Sequence, residues 1–305
     1  MLWNALIEAH SANHRYTILM KPGLLRWFRK SPQSWPVTGV SRAAGERSLA
    51  VNKFTHFAYA QARLQARHGQ RADAQVWRRL HSTGDLANYL QIARQTVLRP
   101  WVIGIDSSQS SHDIEFSLRR QFCRYVDDVS HWLPADWRAA FQALKRLPDL
   151  PALQHLLVGA SVPAWMLDDP GLRPFASESA RLRMEAIQAS EYGYLMQAWQ
   201  RGETLYGAWY DNWRHQWPGP ARLKVAMEQL GRLLLQHVRS QGSGTVSSTR
   251  QRREVLVTRL NGVFRKISFQ PAAAFAHLAL IALDLEQLRG DLLSRRLFAE
   301  STRVA

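Results

Sequence analysis

The chain has 305 residues, 46% of them hydrophobic, a single cysteine and a formal net charge of +16. That is more than one small core and enough for two or three packed units, and the apolar share excludes disorder throughout. Cys123 alone excludes an internal disulfide framework and a cysteine-based zinc site. The basic excess fits nucleic acid, anionic lipid headgroups or an acidic partner, and equally the arginine usage of a GC-rich genome.

Residues 1–50 set seven basic residues, from Arg15 to Arg47, against Glu8 and Glu46. Pro22, Pro32 and Pro36 break any long helix there. The stretch is expected to be a basic, poorly ordered N-terminal extension. A transit peptide fits its composition, Val51 could serve as an alternative start, and Trp27-Phe28 beside Arg29-Lys30 would suit a membrane surface.

From Phe54 the chain turns helical. Phe54–Arg67 is rich in alanine and free of glycine and proline. Trp77–Leu80 and Leu86–Ile92 follow, the second capped by Asp85. Gly104–Ser111 is a loop, with Ser110 or Ser111 capping a helix whose apolar spacing runs from Ile114 to Trp132. Leu133-Pro134 ends it. A helix from Asp136 carries Trp137, Phe141 and Leu144 and stops before Pro148. Another begins at Asp149 and closes on Gly159. Asp168–Gly171 reads as a turn, and Ser177–Gln200 as one further helical stretch.

Trp209, Trp213 and Trp217 recur every four residues, a stripe that suits core or interface better than a ligand platform. Leu223–Val238 is helical, Gln241–Thr249 is a flexible linker, and Arg250–Lys266 is a basic helix. The last helix, Pro271–Arg296, places Ala274, Leu278, Ile281, Leu285, Leu288 and Leu292 on one face. Leu280 and Leu283 widen that face, so the helix should lie buried among others. Its apolar part, Phe269–Leu283, holds His277 and is shorter than the roughly 18 residues that span a bilayer. A soluble or peripheral protein is expected. No period-two alternation stands out, so the fold class is all-α.

Candidate chemistry is sparse. Asp127-Asp128 could hold magnesium in a prenyl synthase, but His131 and Trp132 stand where a further acid belongs, and a solvated acidic face beside Arg124 is the simpler reading. His10 and His14 lack the glutamate of a zinc-protease helix, and Gly242-Ser-Gly244 lacks the strand and Lys-Ser pair of a phosphate loop. His277 reads as a hydrogen-bonded core histidine. The basic run from Arg250 to Lys266 reads as a solvated face with phosphate binding as its alternative.

The last helix contains Asp284-Leu285-Glu286-Gln287-Leu288-Arg289, and Asp149-Leu150-Pro151-Ala152-Leu153-Gln154 repeats the order of acid, leucine, two spacers, leucine and a long polar residue. Leu157 and Leu292 extend the match. These stretches resemble the recurring acid–aliphatic–x–Asn–Leu–Lys/Arg helices of the V-type ATPase central-stalk family, whose members are the d-type stalk proteins of eukaryotes and their C-type counterparts in archaea and bacteria. Phe54–Arg67 resembles the family's opening aromatic–x–Ala–Arg helix. Ala152 and Gln287 depart from the asparagine, Pro151 intrudes, and residues 1–50 have no counterpart.

The resemblance covers residues 54–298. It implies a funnel of two to three related helical units, here 51–111, 112–235 and 236–305. It implies a non-catalytic adaptor without cofactor or metal, on the cytoplasmic end of a membrane rotor ring, receiving the central axle. Asp149, Gln154, Asp284 and Arg289 would then lie near the funnel lining, and their alanine variants would lose partners without unfolding. A basic helical module for nucleic acid or an anionic membrane surface is the alternative.

Overall fold

The computed structural model describes residues 57–219, 221–239 and 246–304, and no strand occurs among them. The readings placed on residues 1–50, including His10, His14, Trp27 and Phe28, lie outside the described residues. The chain begins with α1 (57–69), α2 (Ala74–His81), α3 (Leu86–Arg94) and the single turn α4 (Arg99–Val102). Asp73 and Asp85 cap α2 and α3 by accepting backbone N–H bonds. α5 (Ser111–His131) opens on a reciprocal capping box between Ser110 and Asp113 and buries Ile114, Leu118, Phe122, Val126 and Val129.

After Pro134 the chain tightens. A 3₁₀ turn (Ala135–Trp137) leads into α6 (Arg138–Gln142), and a second 3₁₀ stretch (Ala143–Asp149) runs through Pro148. The expected stop before that proline is therefore corrected: the chain changes pitch ahead of it instead of ending. α7 (Leu150–Leu157) takes Pro151 in its first turn, where a missing N–H costs nothing, and Gly159 just beyond it has φ 80°. α8 (Ala164–Asp168) and a 3₁₀ turn at Arg173–Phe175 follow.

The single helix expected over Ser177–Gln200 is two, α9 (Ala180–Ala189) and α10 (Gly193–Gln200). Ser190 is extended, with ψ 179°, and its hydroxyl accepts from the Tyr192 N–H at 3.1 Å. This side-chain bond offers the backbone an alternative to the helix. Gly193 lies so close behind α9 that a Cβ there would sit 2.6 Å from the Gln188 carbonyl oxygen.

α11 (Leu205–His215) carries the tryptophans inward. Trp209 and Trp213 stack at 5.4 Å, and their indole N–H groups donate to the carbonyls of Ala143 and Ala140. Those carbonyls lie where α-helical pitch gives way to 3₁₀. Trp217, beyond the helix end, meets Trp213 edge-on. The stripe is core. α12 (Ala221–Arg239) and α13 (Val246–Lys266) come next. Residues 241–245 of the expected linker lie outside the described residues, whereas Val246–Thr249 already belong to α13.

α14 (Pro271–Val304) closes the order and is the axis of the body. It packs against α13, α5, α12 and α3. Every residue from Ala272 to Ile281 is buried. Ala272, Ala273, Ala274 and Ala276 let neighbouring helices approach, while Phe275 stacks on Phe141 at 3.8 Å and meets Trp213 edge-on at 5.0 Å. Pro271–Phe298 is long and apolar enough to cross a membrane, which corrects the expectation from run length, yet 83% of its apolar window is buried inside the protein. The protein interior accounts for that apolarity. One core cluster joins α1, at Phe57, to α14, at Leu292. Residue 235, the expected second unit boundary, falls inside α12.

The close approach at α9–α10 has a measurable consequence. Gly193→Ala is expected to lower stability by about 1–3 kcal/mol, the range for forced overpacking, read as a shift in the denaturant midpoint. An unchanged midpoint means that the α9–α10 junction yields freely.

Candidate functional site

The two look-alike segments use their acid in the same way. Asp284, buried in mid-α14, accepts two bonds from Arg71 on the bend after α1, 2.7 Å from Nε and 2.9 Å from a terminal nitrogen. Asn261 of α13 accepts a longer bond from the same guanidinium, 3.4 Å. Asp149, at the entrance to α7, accepts from Arg119 of α5 at 3.1 Å and from the Tyr192 hydroxyl at 2.9 Å. In each case an arginine from an earlier helix or bend holds the acid. The planar fork of a guanidinium suits this role better than an ammonium.

Arg119 also pairs with Asp169, a buried carboxylate that in addition accepts from the Gly171 N–H. The Asp168–Gly171 turn thus contributes an internal anchor. Burial pushes the carboxyls of both Asp149 and Asp284 up, and their arginines pull them back toward the ionised form.

The other two expected residues differ from one another. Arg289 is buried and pairs with Glu115 in the first turns of α5. Gln154 is half-buried on α7. Asp149, Asp284 and Arg289 are therefore structural cross-links as well as candidates, and the expectation that their alanine variants stay fully stable gives way. Removing Asp284 or Arg289 leaves Arg71 or Glu115 uncompensated, at about 3–5 kcal/mol, whereas removing Asp149 leaves Arg119 still paired with Asp169.

His277 is fully buried, and its Nε2 lies 2.7 Å from the Tyr125 hydroxyl. Burial lowers its pKa to about 3, so the ring is neutral. His68 stacks on Phe264 at 4.2 Å and is lowered to about 4, again by burial first. Burial pushes the Cys123 thiol up to about 11, which leaves it protonated and poorly nucleophilic.

Of the aspartate pair, Asp127 has both oxygens 3.0 Å from Lys145 Nζ, while Asp128 is exposed. The neighbour that balances the pair is Lys145 rather than Arg124. A magnesium ion at Asp127 would have to displace an ammonium. Among the described residues no three His, Cys, Asp or Glu side chains gather as a metal site. The basic face of α13 is not uniformly solvated: Arg253 turns inward and donates to the Leu283 carbonyl at 2.9 Å.

Arg71, Arg119, Asp169, Glu115 and Tyr125 were not singled out by their sequence context as partners. Arg71 and Asp284 are 213 positions apart, and neither flanking sequence encodes the other. No family model matches the chain, and neither a curated protein nor a solved structure shows significant similarity to it.

Two outcomes follow from the buried charges. Arg119→Gln leaves Asp149 beside Asp169 without its cation, which raises the folded-state pKa of Asp149 further, so protonation then favours the folded form. The variant should lose about 3 kcal/mol at pH 8 and distinctly less at pH 5, read by denaturant melts; a loss independent of pH excludes the shared-cation account. For His277, a folded pKa below the unfolded one means stability is full above about pH 6.5 and falls as the pH drops below it. Relative to His277→Gln, the parent chain should lose about 2 kcal/mol between pH 7 and pH 5, at 1.36 kcal/mol per pKa unit.

Proposed function

We propose that this chain is a non-catalytic adaptor of the V-type ATPase central-stalk kind, joining a rotating axle to a membrane rotor ring. The observation that carries the proposal is the twofold use of one device. The two segments that resemble the family's recurring helices each hold their acid against an arginine from a preceding helix or bend, Asp149 with Arg119 and Asp284 with Arg71. A shared sequence pattern that meets a shared tertiary role is what descent from one helical unit would leave.

The mechanical demand fits the same residues. Transmitting torque requires a body that does not shear, and close packing supplies stiffness. α14 is fastened along its length by His277–Tyr125, Asp284–Arg71, Arg289–Glu115 and Asp291–Tyr89 contacts. Each fixes the register of one helix against another, because moving by a turn would bury an unpaired polar group. The ring, the axle and a cytoplasmic membrane-peripheral location belong to this proposal as its expected partners and place.

The test is recovery. The tagged full-length chain, purified from its own host's membranes in mild detergent, is expected to bring ring and axle proteins with it in fixed proportion. Recovery of the chain without them overturns the proposal. Retention of nucleic acid that weakens linearly with salt on a logarithmic plot would point to the basic-module alternative.

A further inference from the structure

A cavity of about 290 Å³ lies between the end of α1, α4, α5 and the middle of α14. Leu98, Pro100, Trp101 and Ile281 form an apolar wall, and Trp101 meets Tyr125 edge-on at 5.3 Å. The same cavity is also lined by Arg67, Arg71, Arg124, Asp128 and Asp284. Arg71 and Asp284 neutralise each other through their two hydrogen bonds. Arg67 and Arg124 are exposed and make no ion pair among the described residues, so two uncommitted cations face one uncommitted carboxylate, Asp128.

Tyr125 adds a directed donor. Its hydroxyl is bonded to Nε2 of His277, whose Nδ1 is buried without a partner. The tautomer with hydrogen on Nε2 leaves a bare lone pair at Nδ1 instead of an orphaned N–H, and orphaned N–H groups are the rarer in protein interiors. In that arrangement His277 donates to the tyrosine oxygen. The hydroxyl hydrogen is then left to donate into the cavity, toward an acceptor.

We propose that this cavity binds a carboxylate carried on a compact apolar body. Arg67 and Arg124 pair with the carboxylate, the Tyr125 hydroxyl donates to it, and the Trp101–Ile281 wall covers the apolar part. Charge-assisted bonds to guanidinium are the strong ones, and a mixed apolar and polar concave lining is the usual form of a small-ligand site. A single negative charge matches the balance set by Asp128. The carboxylate comes either from a free small acid or from an acidic group of a partner protein; the second source rests on the stalk-adaptor reading.

Calorimetric titration of the full chain with 3-phenylpropionate at fixed ionic strength tests the first source, with 3-phenylpropionamide as the neutral comparator. Saturable binding of the acid and not the amide is expected. It should weaken about tenfold or more in Arg67→Gln/Arg124→Gln, the effect of losing one charge-assisted bond or more, and several-fold in Tyr125→Phe. It should persist in Arg78→Gln/Arg79→Gln, which removes the same charge from exposed positions on α2. Where small acids do not bind, loss of co-purified ring and axle proteins in Arg67→Gln/Arg124→Gln, but not in the charge-matched control, assigns the site to a partner's acidic group. Binding that ignores the two arginines, or no small-acid binding together with undiminished partner recovery by the variant, overturns the proposal. Recovery of partners by the unmodified chain reports on the stalk reading separately.

Discussion

The fold rests on burying a helix that is not wholly apolar. α14 places His277, Asp284, Glu286 and Arg289 among its buried residues, interleaved with leucine and alanine. A charged group taken from water without a partner is expensive, and the surrounding structure must supply one. Tyr125, Arg71 and Glu115 supply partners for three of these residues, and each comes from a different level along the helix. His277 meets residue 125 and Arg289 meets residue 115, so α5 and α14 run antiparallel and their register is fixed at two points. Apolar contact alone would tolerate sliding; a buried polar contact and a charge pair do not.

The same logic explains the second cross-link. Arg119 stands between Asp149 and Asp169 and draws α5, the entrance to α7 and the turn before Arg173 to one point. Two carboxylates could not share that space without a cation between them. The aromatic cluster acts differently. Phe275, Phe141 and Trp213 fill volume, and the indole N–H groups of Trp213 and Trp209 donate to the carbonyls of Ala140 and Ala143, on either side of the change from α to 3₁₀ pitch. Packing and hydrogen bonding there are done by the same side chains, as is common for buried tryptophan.

The buried pairs set where helices sit, and one of them, Arg71–Asp284, also borders the cavity between α1, α4, α5 and α14. A ligand at Arg67 and Arg124 would stand next to the Arg71–Asp284 link and to Tyr125, which reports inward to His277. Cavity lining and core are thus contiguous at that point.

Helix content, the caps at Asp85 and Ser110, the burial of the last helix and the inward tryptophans were legible in the residues themselves, because capping, spacing and apolar periodicity act over a few positions. The shared residue order of the Asp149 and Asp284 segments was legible too. Local pattern missed the break at Ser190, where a hydroxyl competes with the helix and a glycine admits a neighbouring carbonyl, and it missed the pitch change that carries the chain through Pro148. It also left Asp149, Asp284 and Arg289 as lining candidates with no stated partners. Tertiary structure alone decided that Arg71, Arg119 and Glu115 receive them, since pairing across 213, 30 and 174 positions depends on where helices dock. A charge encodes its need for a counter-charge in its own side chain, but which counter-charge answers is set by the packing of the apolar faces around it.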